Sequence, residues 1–191
     1  MSGIIAVAVF IVSLVFLIII LSLWLRIALR YFHISAVHPV SQLIYKITNP
    51  LVDPIQSILK QKPQPKQKYD TPALITLILV EVLKIIILGF LLLQGMIPLT
   101  FLFIYVLADL IIQPCDFLFY AILFRIIMSF VNPSWKGPIA DFLRLITEPV
   151  LKFGRKVIPE VADFDLSPFV VMVLLMIISL FINASLPWRL L

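Results

Sequence analysis

Cysteine, histidine and charge are all scarce in this chain. One cysteine, Cys115, stands among 191 residues, so no internal disulfide can form, and a thiol beside Pro114 in an apolar run reads as packing rather than redox chemistry. The two histidines, His33 and His38, have no cysteine or carboxylate at ligand spacing, which argues against haem or metal ligation; no cofactor is expected. Charged residues make up only 13% of the chain, too few for the surface of an ordinary soluble domain. Nucleophile elbow, phosphate loop and metal-binding motif are all missing, so an enzyme is not expected.

What the chain has instead is apolar sequence: 62% of its residues are hydrophobic and the mean hydropathy is +1.15. That composition belongs in a bilayer. The net charge of +5 is gathered in two segments between apolar runs, without a nucleic-acid module, so it reads as membrane-surface charge and no nucleic acid is expected as a partner. No Lys or Arg precedes the first apolar run and no convincing cleavage site follows it, so that run is expected to stay as a membrane span.

Four runs are long enough to cross the roughly 30 Å hydrocarbon core, which takes about 20 helical residues. They cover about 4–25, 73–94, 99–125 and 169–186. The expected fold is an all-α membrane protein with four transmembrane helices in two parallel tandem repeats, 1–96 and 97–191. The repeat is visible residue by residue. Arg26 recurs as Arg125, Pro39 as Pro138, and Thr48-Asn49-Pro50 as Thr147-Glu148-Pro149. Val40, Leu43, Ile44 and Ile47 recur as Ile139, Phe142, Leu143 and Ile146, an apolar set on one helical face.

Between the two spans of each repeat the pattern predicts a short amphipathic helix at the membrane interface. Proline removes a backbone donor and restricts the residue before it. Pro50 and Pro149 are therefore expected to break these helices, with Thr48 and Thr147 satisfying freed backbone groups. Lys60 to Asp70 reads as a solvated linker. Asp70-Thr71-Pro72 and Asp165-Leu166-Ser167-Pro168 read as helix starts, each with a capping hydroxyl, an N1 proline and an acid near the positive end of the helix dipole. The third span is expected to tilt or kink at Pro114.

Three charges fall near the middle of the membrane, where ionisable residues mark function by default. At about 1.5 Å per residue, Glu81 and Lys84 lie roughly 14 and 18 Å from Pro72, and Asp109 lies roughly 16 Å from Pro98 on the opposite face. Adjacent antiparallel helices therefore bring the three level. Two readings stand: a structural ion pair that fixes helix register, or a cluster that moves protons or monovalent cations. Arg26 with Asp70, and Arg125 with Asp165, are expected to pair at the interface, at about 0–1 kcal/mol for an exposed pair. The basic set Arg144, Lys152, Arg155 and Lys156 suits anionic lipid, at about 1 kcal/mol per basic residue near the surface, or an acidic partner protein.

The connections between spans one and two and between three and four carry nearly all the basic residues, so they are expected on the cytoplasmic side, with both termini outside. Each repeat then begins and returns outside, which gives the halves parallel topology.

Asn132-Pro133, Leu145-Ile146-Thr147-Glu148-Pro149, Arg155-Lys156-Val157-Ile158-Pro159 and Phe164-Asp165-Leu166-Ser167-Pro168 resemble the signature of the YggT family, whose members carry two tandem copies. The first copy departs from it: Gln56-Ser57 stand where a basic pair is usual, and a lysine-rich linker replaces the glycine-containing approach to the Asp-x-Ser-Pro element. The resemblance implies a small multi-pass protein of the bacterial cytoplasmic membrane or of plastid membranes. Family members are linked variously to membrane-complex assembly, including b-type cytochrome maturation in plastids, to division or nucleoid organisation, and to osmotic-stress tolerance. The expected work is that of an accessory or scaffold protein that docks a membrane partner and anionic lipid through its amphipathic basic segments, with homo-oligomers possible. The alternative is a transport component that uses Glu81, Lys84 and Asp109.

Overall fold

A computed structural model describes residues 3–35, 38–60, 69–93, 98–131, 137–157 and 166–187. These residues form six helices and no strand: α1 (Gly3–Tyr31), α2 (Pro39–Ile58), α3 (Thr71–Leu93), α4 (Leu99–Val131), α5 (Pro138–Val157) and α6 (Ser167–Ser185). Four of them, α1, α3, α4 and α6, are long and apolar enough to cross a membrane. Their outward faces are correspondingly apolar. Ile4, Phe10, Phe103 and Phe181 are each at least 65% exposed, a surface stable against lipid and not against water. This is a multi-pass membrane protein.

The chain divides into two compact units, Met1–Leu110 with Leu186–Leu191, and Ile111–Ser185. α4 is continuous across that boundary. In the first unit α1 packs on both α2 and α3, around Phe16, Ile20, Leu23, Val52, Ala73 and Leu77. A second apolar cluster joins α3 to the start of α4 through Ile85, Tyr105 and Val106. In the second unit Ile122 of α4, Leu151 of α5, and Val171 and Leu175 of α6 make the core, with Cys115 packed against it.

Helix ends follow the sequence with two corrections. α1 does not stop where charge begins: it runs through Arg26 and Arg30 to Tyr31, because arginine is a good helix former. At the start of α3 the cap is a carboxylate, with Ala73 N donating to Asp70 Oδ1 at 3.2 Å, rather than the expected threonine hydroxyl. An acid at the N-cap satisfies an orphan amide and also meets the positive end of the helix dipole.

The expected break at Thr48-Asn49-Pro50 does not end α2, nor does Thr147-Glu148-Pro149 end α5. Helical structure continues through Pro50 and Pro54 in α2 and through Pro149 in α5. Proline removes one ladder bond. Tertiary contacts on either side of it hold the rest: Ile44, Thr48 and Val52 are buried along one face of α2, and Ile146, Thr147 and Leu151 along one face of α5. α4 likewise runs through Pro114. The linker residues 61–68 lie outside the described part.

Candidate functional site

Two kinds of polar cluster are built into these apolar units. The first is an arginine clasp, made once in each unit. Arg26, near the end of α1, reaches across to α2: its Nη1 donates to Thr48 Oγ1 at 2.9 Å and to Asn49 Oδ1 at 2.7 Å. Its Nε donates to Asp70 Oδ2 at 3.1 Å. Arg30, one turn later, adds a contact to the same oxygen at 3.3 Å. The guanidinium also lies over the Tyr45 ring, 4.8 Å from its centroid, within cation–π range. Burial pushes the Tyr45 phenol above its usual pKa, against the opposing pull of Arg26.

Asp70 therefore works at both ends of its carboxylate. One oxygen caps α3 and the other accepts two arginines. A single guanidinium fork thus joins α1, α2 and the start of α3, a geometry that lysine's point charge cannot reproduce.

In the second unit Arg125 repeats the arrangement on α4 and α5. Its Nη1 donates to Thr147 Oγ1 at 2.8 Å and its Nη2 to Glu148 Oε2 at 3.0 Å. Arg155, two turns further along α5, donates to Glu148 Oε1 at 3.2 Å. Burial alone would raise the Glu148 carboxyl, but the hydrogen bonds and charges of Arg125 and Arg155 outweigh it and hold it below the usual carboxylate value. The expected partner of Arg125, Asp165, lies outside the described residues.

Both threonines also donate back along their own helix, Thr48 to the Ile44 carbonyl at 2.8 Å and Thr147 to the Leu143 carbonyl at 2.7 Å. Each hydroxyl spends its proton on the backbone and offers its lone pairs to arginine. The energetic expectation for the first pair needs correcting. Side-chain exposure is 6% for Arg26 and 1% for Asp70, so this is a buried, hydrogen-bonded network and not an exposed pair. Arg125 and Glu148 are more open, at 25% and 32%.

The second cluster lies deep between α3 and α4. Lys84 Nζ is 2.7 Å from Asp109 Oδ2 and 3.4 Å from Glu81 Oε2. Glu81 is fully buried, Asp109 and Lys84 nearly so. Glu81 and Lys84 are three apart on one helix face, and α4 returning from Leu99 brings Asp109 level with them. Tyr105, one turn from Asp109, is also fully buried. Two carboxylates thus share one ammonium.

Of the four basic residues expected at a lipid or partner surface, Arg144, Lys152 and Lys156 are exposed on α5, whereas Arg155 is half-buried against Glu148. Pro50 and Pro149 face outward. Cys115 is half-buried. Three kinds of contact escaped sequence reasoning: Asn49 and Glu148 as arginine acceptors, Tyr45 as a ring beneath Arg26, and Asp116, which accepts from Ser179 at 2.8 Å. The first was within reach, because Arg26 to Thr48 and Arg125 to Thr147 are both separations of 22. Asp116 was visible as a charge inside the third span, though its partner was not, and nothing in the sequence pointed to Tyr45.

Comparison with known proteins agrees with this architecture. A family model described as CCB3/YggT matches twice, over residues 4–91 and 101–186. The uncharacterized protein YggT of Escherichia coli (strain K12) is 27% identical over 161 residues, covering 83% of this chain and 79% of that protein. An uncharacterized protein of Haemophilus influenzae is 30% identical over 171 residues, 90% of this chain and 86% of its own length. One from Vibrio alginolyticus, named for its position in the proC 3' region, is 28% identical over 158 residues, 82% of this chain and 80% of that protein. No solved structure matches. With both matched segments together spanning most of its length, the chain belongs to the CCB3/YggT family.

Proposed function

We propose that this protein is a non-enzymatic scaffold of the bacterial cytoplasmic membrane, docking membrane partners and gathering anionic lipid through α2 and α5. The observation that carries the reading is the arginine clasp in each unit, which fixes a proline-containing helix to the end of a spanning helix. A helix held in this way keeps a fixed outer face. On α5 that face carries Arg144, Lys152 and Lys156 beside exposed Ile139 and Phe153; on α2 it carries Lys46 beside Leu43, Ile47 and Leu51. Apolar residues next to cations suit the boundary between acyl chains and anionic headgroups. The basic connections lie on the cytoplasmic side and the termini outside, as charge asymmetry requires.

The test uses the purified protein in lipid discs that contain a small fraction of fluorescent phosphatidylglycerol, with energy transfer from a dye on α5. Reversal of Arg144, Lys152 and Lys156 to glutamate lowers local enrichment by about five-fold per residue if each contributes about 1 kcal/mol. Equal enrichment in wild type and the triple variant sinks the lipid reading. For the protein partner, in-membrane crosslinking compares wild type with Arg155→Glu/Lys156→Glu; a stoichiometric product found in both removes α5 as the docking face.

A second reading, movement of protons or monovalent cations, is favoured by the buried sharing of Lys84 between Glu81 and Asp109. Flux across proteoliposomes that is unchanged in Asp109→Asn discards it.

A further inference from the structure

Asp116 is an exposed carboxylate at the middle of a membrane span. It sits nine residues before Arg125, about 14 Å along α4 from the arginine clasp at 1.5 Å per residue. Its partner Ser179 is twelve residues beyond Ser167, about 18 Å from the start of α6. The hydrocarbon core is about 30 Å thick, so both measures put the pair near its centre.

The Ser179 side is closed, since Ser179 is 8% exposed, yet Asp116 itself remains exposed. It heads an outward stripe on α4, followed by Tyr120, Phe124 and Ile127, each at least 47% exposed and spaced to share one face. The first repeat supplies the comparison. With the third span aligned on Arg26 and Arg125, and the fourth on Pro72 and Pro168, Leu17 stands where Asp116 does and Leu83 where Ser179 does; both leucines are exposed, at 60% and 51%. Leucine is the ordinary choice for a lipid-facing position, and an ionisable residue there is costly and pairs with a counter-charge.

We infer that Asp116, oriented by Ser179, docks a transmembrane helix of another protein that carries a lysine or arginine at the level of the membrane centre. Charge complementarity selects this occupant over a second copy of the chain. Among the described residues Lys84 is held by Glu81 and by Asp109, about 10 Å along α4 from Asp116 at 1.5 Å per residue, and Arg26 and Arg125 sit at the clasps. A polar contact in hydrocarbon is specific because the alternative for each charge is lipid. The inference rests on the docking reading above for the existence of a membrane partner, but uses a different surface and a different chemistry.

The test places a photoreactive p-benzoylphenylalanine at Tyr120 of the full chain in its native membranes, and a second one at Phe153 to report on α5. The expected product at Tyr120 is a protein whose spanning helix has a mid-membrane lysine or arginine. Its yield falls at least ten-fold in Asp116→Leu, falls in Ser179→Ala, and persists in Arg155→Glu/Lys156→Glu. Exchange of charges, Asp116→Lys against an aspartate at the partner's basic position, restores it; that arm decides the case in which Asp116→Leu fails to yield monodisperse protein. An undiminished yield in folded Asp116→Leu, a product with lipid or a second copy alone, or a partner helix with no basic residue at that level overturns the inference. A Phe153 product undiminished in Arg155→Glu/Lys156→Glu would instead count against the α5 reading.

Discussion

At the scale of single residues, the two arginine clasps share the Nη1 bond to a threonine hydroxyl at different burial, and they differ in what their loss costs. Arg26→Ala leaves the nearly inaccessible Asp70 with Arg30 as its remaining cation, and breaking a buried pair in this way costs about 3–5 kcal/mol. Arg125→Ala opens a contact whose partners are a quarter to a third exposed, for about 0–1 kcal/mol. Equilibrium unfolding in mixed micelles is expected to separate the two variants; equal losses would mean that burial does not set the hierarchy. In the deep cluster Lys84→Met takes the ammonium away from two buried carboxylates and should cost about 3–5 kcal/mol, whereas the triple change of Glu81 and Asp109 to leucine with Lys84→Met recovers most of it. Failure of the triple variant to recover would show that the charges specify helix register. Glu148 adds a pH dependence. Its folded-state carboxyl lies below its usual value, so its contribution is fully present above the ordinary carboxylate range and is lost as pH falls through the lowered folded value. Amide exchange of α5 should therefore accelerate on acidification below that range, and Glu148→Gln should remove this step while loosening α5 at neutral pH.

At the scale of elements, α5 and α6 meet at a glycine. A Cβ on Gly154 would lie 2.5 Å from Val171 Cγ2 and 3.4 Å from the Ser167 carbonyl, so the backbone of α5 approaches α6 more closely than any side chain allows. Gly154→Ala is expected to cost about 1–3 kcal/mol through overpacking, and Val171→Ala to relieve part of it in the double variant; additivity of the two in unfolding experiments would refute the contact. The first repeat has Ile55 at the matching position, so its two helices cannot approach in this way. Here sequence reasoning and structure part. The periodic apolar set of α2 and α5 was readable because burial repeats with the helical turn. That the helices continue through Pro50 and Pro149 was not, since proline's local cost is visible in sequence while the tertiary contacts that offset it are not. The role of Asp70 as cap was half legible: an acid before a helix was evident, but which of two adjacent polar residues takes the amide depends on backbone geometry.

At the scale of the whole molecule, the proposed orientation rests on where the basic residues fall. In a Cys115→Ala background, single cysteines at Ser57 and Lys152 are expected to resist a membrane-impermeant maleimide added to intact spheroplasts and to react after lysis. A cysteine at Ser2 is expected to react from outside. Labelling of Ser57 and Lys152 from opposite sides would defeat the parallel arrangement of the repeats.

Sequence alone determined the membrane setting, the count and approximate bounds of four spanning helices, and the tandem repeat, because these depend on one-dimensional quantities: apolar run length, hydropathy and recurrence. It also put Glu81, Lys84 and Asp109 level, since helical rise is constant. Only the tertiary structure decided that Arg26 also takes Thr48 and Asn49 and that Arg125 takes Thr147 and Glu148, how far Arg26 and Asp70 are removed from solvent, and that Asp116 is left facing outward. Those outcomes depend on the rotation and approach of helices whose apolar faces are nearly uniform around their circumference, so no periodicity in the sequence records them.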